Sequence, residues 1–190
     1  MEKLAPIPKP PSHHLTNPHI HPNHHPSMSS VKAKIKSFFA PNRQYAVAGA
    51  SANPSKFGYK ILNWYLAHRL PVIPINPREE EILGQKVVAD VKSVLHAIES
   101  HRDLLTYKTS AADGLSISFL TPPPVTLSTL REIGAVDGYK DVIKGLWFQP
   151  GSYDQAVLDL AAELGEFEKV IEEDECILVR GEEGLISANL

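Results

Sequence analysis

The stretch Tyr45-Ala46-Val47-Ala48-Gly49-Ala50-Ser51-Ala52-Asn53-Pro54-Ser55-Lys56-Phe57-Gly58, with Val72-Ile73-Pro74-Ile75-Asn76-Pro77-Arg78 beyond it, decides the fold. Its opening residues are small, apolar and partly β-branched, the pattern of a short strand buried on both faces. Gly49 turns the chain, 51–55 reads as loop, and Lys56 to His68 reads as a helix with Phe57, Ile61, Leu62, Trp64, Tyr65 and Leu66 on a broad apolar face. A second buried strand, Val72 to Ile75, completes a βαβ unit.

The same alternation runs on through the chain. Asp90 to Ile98, Val125 to Ile133 and Ser152 to Leu164 carry helical periodicity, with Ser152 placed to cap the last of them. Leu115 to Leu120 and Val142 to Phe148 read as strands, and Lys169 to Ile171 and Cys176 to Val179 as one or two terminal ones. Right-handed crossovers leave few arrangements for such an order, so the expectation is an α/β fold: a three-layer, doubly wound, Rossmann-like domain over residues 29–190 with a mainly parallel sheet. A short amphipathic helix, capped by Ser29 or Ser30 and stopped by Pro41 and Asn42, opens it, with Lys32, Lys34 and Lys36 on its solvated side. The polar stretch Glu99 to Asp113, with His101, Arg102 and Lys108, reads as an insertion.

Composition narrows the function classes. The chain has 190 residues, 43% hydrophobic and 22% charged, a globular balance with no apolar run near the ~20 residues of a membrane span. A lone cysteine, Cys176, forms no internal disulfide and is read as structural rather than reactive, because the acids at Glu172 to Glu175 would raise its pKa. Residues 1–28 hold six of the nine histidines and seven of the sixteen prolines, and read as a disordered tail with at most adventitious metal affinity. No signal peptide is evident, so a cytoplasmic location is expected; a mitochondrial one is the alternative, since acids are scarce, although the first Arg is Arg43. No Asp or Glu occurs from Lys3 to Arg78, and that half should seek anions. The cations lie partly on a helix that packs and no aromatic platform accompanies them, which speaks against nucleic acid.

In a doubly wound sheet the ligand lies beyond the carboxyl ends of the strands. Gly49, Ala50, Ser51, Asn53, Ser55, Lys56, Phe57 and Gly58 then form a cradle for a phosphate or diphosphate, with serine hydroxyls and the amides of a helix start. The dinucleotide pattern G-x-G-x-x-G is absent, since the glycine after Gly49 is Gly58. Enzymes that use NAD carry an acid after the second strand, where this chain has Asn76, Pro77 and Arg78. Arg78 suits a phosphate on the ribose, as in NADP or at the 3′ position of coenzyme A.

Taken in order, 46–59, Pro74 to Pro77, Gly84, Thr121-Pro122-Pro123, Leu146 to Gly151 and Glu173 to Cys176 resemble the small stand-alone coenzyme A-binding proteins, which are similar to the nucleotide-binding domain of the succinyl-CoA ligase α subunit. The resemblance covers about 31–180 and implies that the loop matching Gly49 to Gly58 holds coenzyme A phosphates. It implies that Asn76 to Arg78 and Thr121, Pro122, Pro123 and Val125 flank adenosine and pantetheine. Gln149 offers an amide at the mouth of the fourth strand, while Pro150-Gly151 also serves as a plain turn. The ligase's phosphohistidine has no counterpart after His101, so ligase activity is not expected, and Glu175 stands where an Arg commonly precedes the cysteine, so no role tied to that Arg is carried over. No nucleophile and base pair up in the loops, which favours a binding module for coenzyme A or an acyl-CoA over an enzyme. An NADP-dependent oxidoreductase is the alternative. The sequence leaves the acyl group and a homodimer open.

Overall fold

The computed structural model describes residues 28–172 and 175–190. The expected tail, 1–28, lies outside them except for Met28. In chain order the elements are α1 (Met28–Phe38), β1 (Arg43–Ala48), α2 (Phe57–Ala67), β2 (Val72–Ile75), β3 (Glu81–Ile82), β4 (Gln85–Lys86) and α3 (Val91–Glu99). They continue with β5 (Gly114–Phe119), α4 (Pro123–Gly134), α5 (Tyr139–Val142), β6 (Ile143–Phe148), α6 (Gln155–Glu163), β7 (Val170–Ile171) and α7 (Ile177–Ala188). Five strands form one parallel sheet in the order β2-β1-β5-β6-β7, and β3 and β4 make a small antiparallel ribbon. The chain leaves β1 toward β2 and later returns to the other side of β1 as β5, so the order reverses between β1 and β5. Ala48 lies in register with Ile75 on one side and Phe119 on the other.

Side chains alternate across each strand and divide the core in two. Tyr45 and Val47 of β1 and Trp147 of β6 join Phe38 of α1, Ile61 and Tyr65 of α2 and Ile177 of α7. Ala46, Ala48, Ile117 and Phe148 point to the opposite face, against Val94 and Leu95 of α3, Leu130 of α4 and Val157 of α6. The molecule is therefore the doubly wound, three-layer α/β fold expected. Polar residues in the central strand are satisfied within the α1–α2 layer: Ser118 Oγ lies 2.8 Å from Tyr65 Oη, and Ser116 Oγ donates to Phe38 O at 2.7 Å. No helix among the described residues is long and apolar enough to cross a membrane.

Three local expectations are corrected. Cys176 to Val179 is not a strand: Cys176 is the N-cap of α7, and Val179 is 76% exposed on that helix. The inner face of α7 is made by Ile177, Gly181, Gly184 and Leu185. A Cβ at Gly181 would stand 2.5 Å from the Trp64 ring and one at Gly184 2.6 Å from Phe39, so close approach at the glycines seats the helix together with Ile177 and Leu185, and the apolar period is interrupted. Secondly, α6 is capped by Asp154, which accepts from Val157 N at 3.0 Å, while Ser152 is buried ahead of it. Thirdly, α1 starts at Met28, which puts Ser29 and Ser30 inside it rather than at its cap. The 99–113 insertion folds over the α3 layer, where the Tyr107 hydroxyl donates to Lys86 O.

Burial pushes the phenols of Tyr45 and Tyr107 up to about 12, and that of fully buried Tyr65 well above its ordinary value. The folded chain keeps them neutral where an unfolded tyrosine ionises near 10. Their contribution is complete below about pH 10 and lost as pH rises toward about 12. Urea midpoints measured across that window should fall steadily; midpoints that stay level would contradict this.

Candidate functional site

At the reversal between β1 and β5 a cleft of about 800 Å³ opens along the carboxyl ends of the strands. Gly49, at φ +92°, turns the chain out of β1, and a Cβ there would lie 3.1 Å from Thr121 N. A Cβ at Gly58 would stand 2.2 Å from Gly49 O. The first turn of α2 thus rests directly on the backbone that leaves β1. Lys56, the N-cap of α2, makes no side-chain cap, so the first-turn amides are left for a partner in the cleft. These amides and the helix dipole attract an anion.

The residues between the glycines divide their work. Gly49, Ala50, Ser51, Lys56, Phe57 and Gly58 line the cleft. Asn53 and Ser55 do not: Asn53 Oδ1 accepts from Ser55 N at 3.0 Å and Ser55 Oγ at 2.8 Å, while Asn53 N donates to Ser51 Oγ at 3.2 Å. These bonds give the loop its shape beside the cleft.

Asn76 braces one loop against the next. Its Nδ2 donates to Ala50 O at 2.8 Å, and its Oδ1 accepts from Arg78 N at 2.9 Å. Pro77 and Arg78 are exposed at the cleft beside it. Neither Lys56 nor Arg78 joins an ion pair among the described residues. Two uncompensated cations and a helix start therefore share one cleft.

The β5–α4 turn supplies a different wall. Thr121, Pro122 and Val125 line the cleft, and buried Thr126 holds the turn by donating to Thr121 O at 3.0 Å. Pro123 and Pro124 open α4 and have no N–H to offer, so this helix start presents apolar surface instead of an anion cradle. Pro123 itself is not on the wall, contrary to expectation. Phe57 and Val125, 60% and 48% exposed, give the cleft apolar flanks.

Gln149 is the largest departure. It is 3% exposed and set behind the cleft, where its Oε1 accepts from Ile177 N at 3.0 Å. Trp147 is a core residue whose Nε1 donates to Glu175 O at 2.6 Å, and Cys176 is half-buried beside it. The cleft in turn includes residues the sequence reading passed over: Asp90 and Val91 at the start of α3, and Ser128, Thr129 and Glu132 on α4. Val125, Ser128, Thr129 and Glu132 follow one another at helical spacing, a signal that extending the first-turn reading along α4 would have caught.

A family model described as a CoA binding domain matches residues 43–182. A conserved hypothetical protein from Pyrococcus furiosus is 30% identical, with 73% of this chain and 98% of that one covered at a TM-score of 0.54. A hypothetical protein from Pyrococcus horikoshii is 20% identical, with 88% and 98% covered at a TM-score of 0.59. A protein described as redesigned for binding is 21% identical, with 81% and 92% covered at 0.60. The last two are likenesses of fold.

Gly58→Ala should destabilise the chain by about 1–3 kcal/mol, because the new methyl meets backbone that cannot rotate away. Urea denaturation checks this, and an unchanged midpoint would show that the α2 start does not rest on Gly49.

Proposed function

This chain belongs to the CoA binding domain family, and we propose that it is a binding module which holds coenzyme A or an acyl-CoA in the cleft without ligase activity of its own. The observation that carries this reading is the convergence of unpaired Lys56 and Arg78 on the uncapped start of α2. The diphosphate lies against the amides of Phe57 and Gly58 with Lys56 beside it. Arg78, held out by the Asn76 turn, takes the 3′ phosphate of the ribose through its planar guanidinium. Pantetheine runs along the apolar flank at Thr121 to Val125.

The ionisable side chains of the wall among the described residues are Lys56, Arg78, Asp90 and Glu132, and the two cations at the start of α2 and after β2 suit a phosphorylated ligand. An NADP site would use Arg78 in the same way on the 2′ phosphate; family membership favours coenzyme A.

Arg78→Ala should weaken coenzyme A about fivefold to tenfold, the worth of one solvent-exposed charge-assisted contact, and leave dephospho-coenzyme A nearly unchanged. Calorimetric titration of both ligands reads the difference. Equal losses would remove Arg78 from the ribose phosphate.

A further inference from the structure

The cleft crosses the edge of the sheet from one helical layer to the other, and its charge changes sign on the way. Lys56 opens α2, which packs in the layer with α1 and α7. Asp90 caps α3, and Glu132 lies on α4, both in the opposite layer. Glu132 follows Val125 by seven residues, which places it about 10 Å farther along α4 from the β5–α4 turn. It is exposed and joins no ion pair among the described residues. One Asp90 oxygen is occupied by Ser93 N at 2.7 Å.

A carboxylate on the wall of a cleft for a polyanion repels its ligand unless a hydrogen-bond donor meets it. Coenzyme A carries such a donor at the end remote from its thiol. With the phosphates and ribose at α2 and Arg78 and pantetheine at the β5–α4 turn, the base is the part left for the α3 and α4 walls of the cleft. We propose that Glu132 is a specificity-determining residue that accepts a hydrogen bond from the exocyclic amine of the adenine, in the groove between the start of α3 and the Ser128-Thr129-Glu132 face of α4. This rests on the coenzyme A reading above. Ser128 and Thr129 flank the base, Thr129 Oγ1 is turned back on its own helix, donating to Val125 O at 3.1 Å, and Glu132 is the charged acceptor on that face.

The test compares coenzyme A with an analogue in which purine replaces adenine, titrated against the full chain and its Glu132→Ala variant. The full chain should bind coenzyme A about fivefold to tenfold more tightly than the purine analogue, one charge-assisted bond weakened by solvent. In Glu132→Ala that preference should vanish through weaker coenzyme A binding, with the analogue bound no less tightly than before and the thermal midpoint unchanged. Equal affinity of the unaltered chain for both ligands would overturn the proposal and leave the coenzyme A reading standing. Tighter binding of both ligands by the variant would show that Glu132 only repels phosphate, and would overturn it too. Failure of the unaltered chain to bind coenzyme A would overturn that reading, and this inference with it.

Discussion

The contact of Gly58 with the Gly49 carbonyl is the constraint from which the rest of the site follows. With no side chain at either position, the first turn of α2 settles onto the end of β1, and a methyl at Gly58 would stand 2.2 Å from that oxygen. The helix start is thereby aimed along the strand ends at the point where the sheet order reverses. Loop side chains then hold the turns around it. Asn53 and Ser55 bind each other to hold the intervening turn, and Asn76 ties the next loop to Ala50.

Two helix starts face one another across the cleft, and their chemistry differs by two residues. Around α2, an uncapped first turn with a lysine at its N-cap offers N–H groups and positive charge. At α4, consecutive prolines remove the corresponding N–H groups and leave a smooth apolar edge. A ligand that is densely anionic at one point and apolar at another fits this pair of walls in a single orientation. The sheet supports both, since β1 and β5 are neighbours whose residues are buried on each face.

Much of this architecture was legible in the sequence. Strands β1, β2, β5 and β6 are continuous buried runs that need no partner to be recognised, and the cleft residues of the first two loops follow from where those strands end. The failures share a cause. In α7 two of the four buried positions, Gly181 and Gly184, are glycines, whose role is the absence of a side chain, so the apolar period is broken between Ile177 and Leu185. Gln149 reads as an amide offered at the mouth of the fourth strand, whereas the N–H that its Oε1 accepts from, Ile177 N, belongs to the helix that reads as a strand. Asp90 reads locally as a cap, and only the packing of α3 beside α4 brings it to the same cleft as Glu132.

Parallel calorimetric titration of the chain with coenzyme A and with NADPH tests the central claim most directly. Saturable binding of coenzyme A with a stoichiometry of one, and at least tenfold weaker binding of NADPH, is the predicted result. Tight binding of NADPH without binding of coenzyme A would contradict the account.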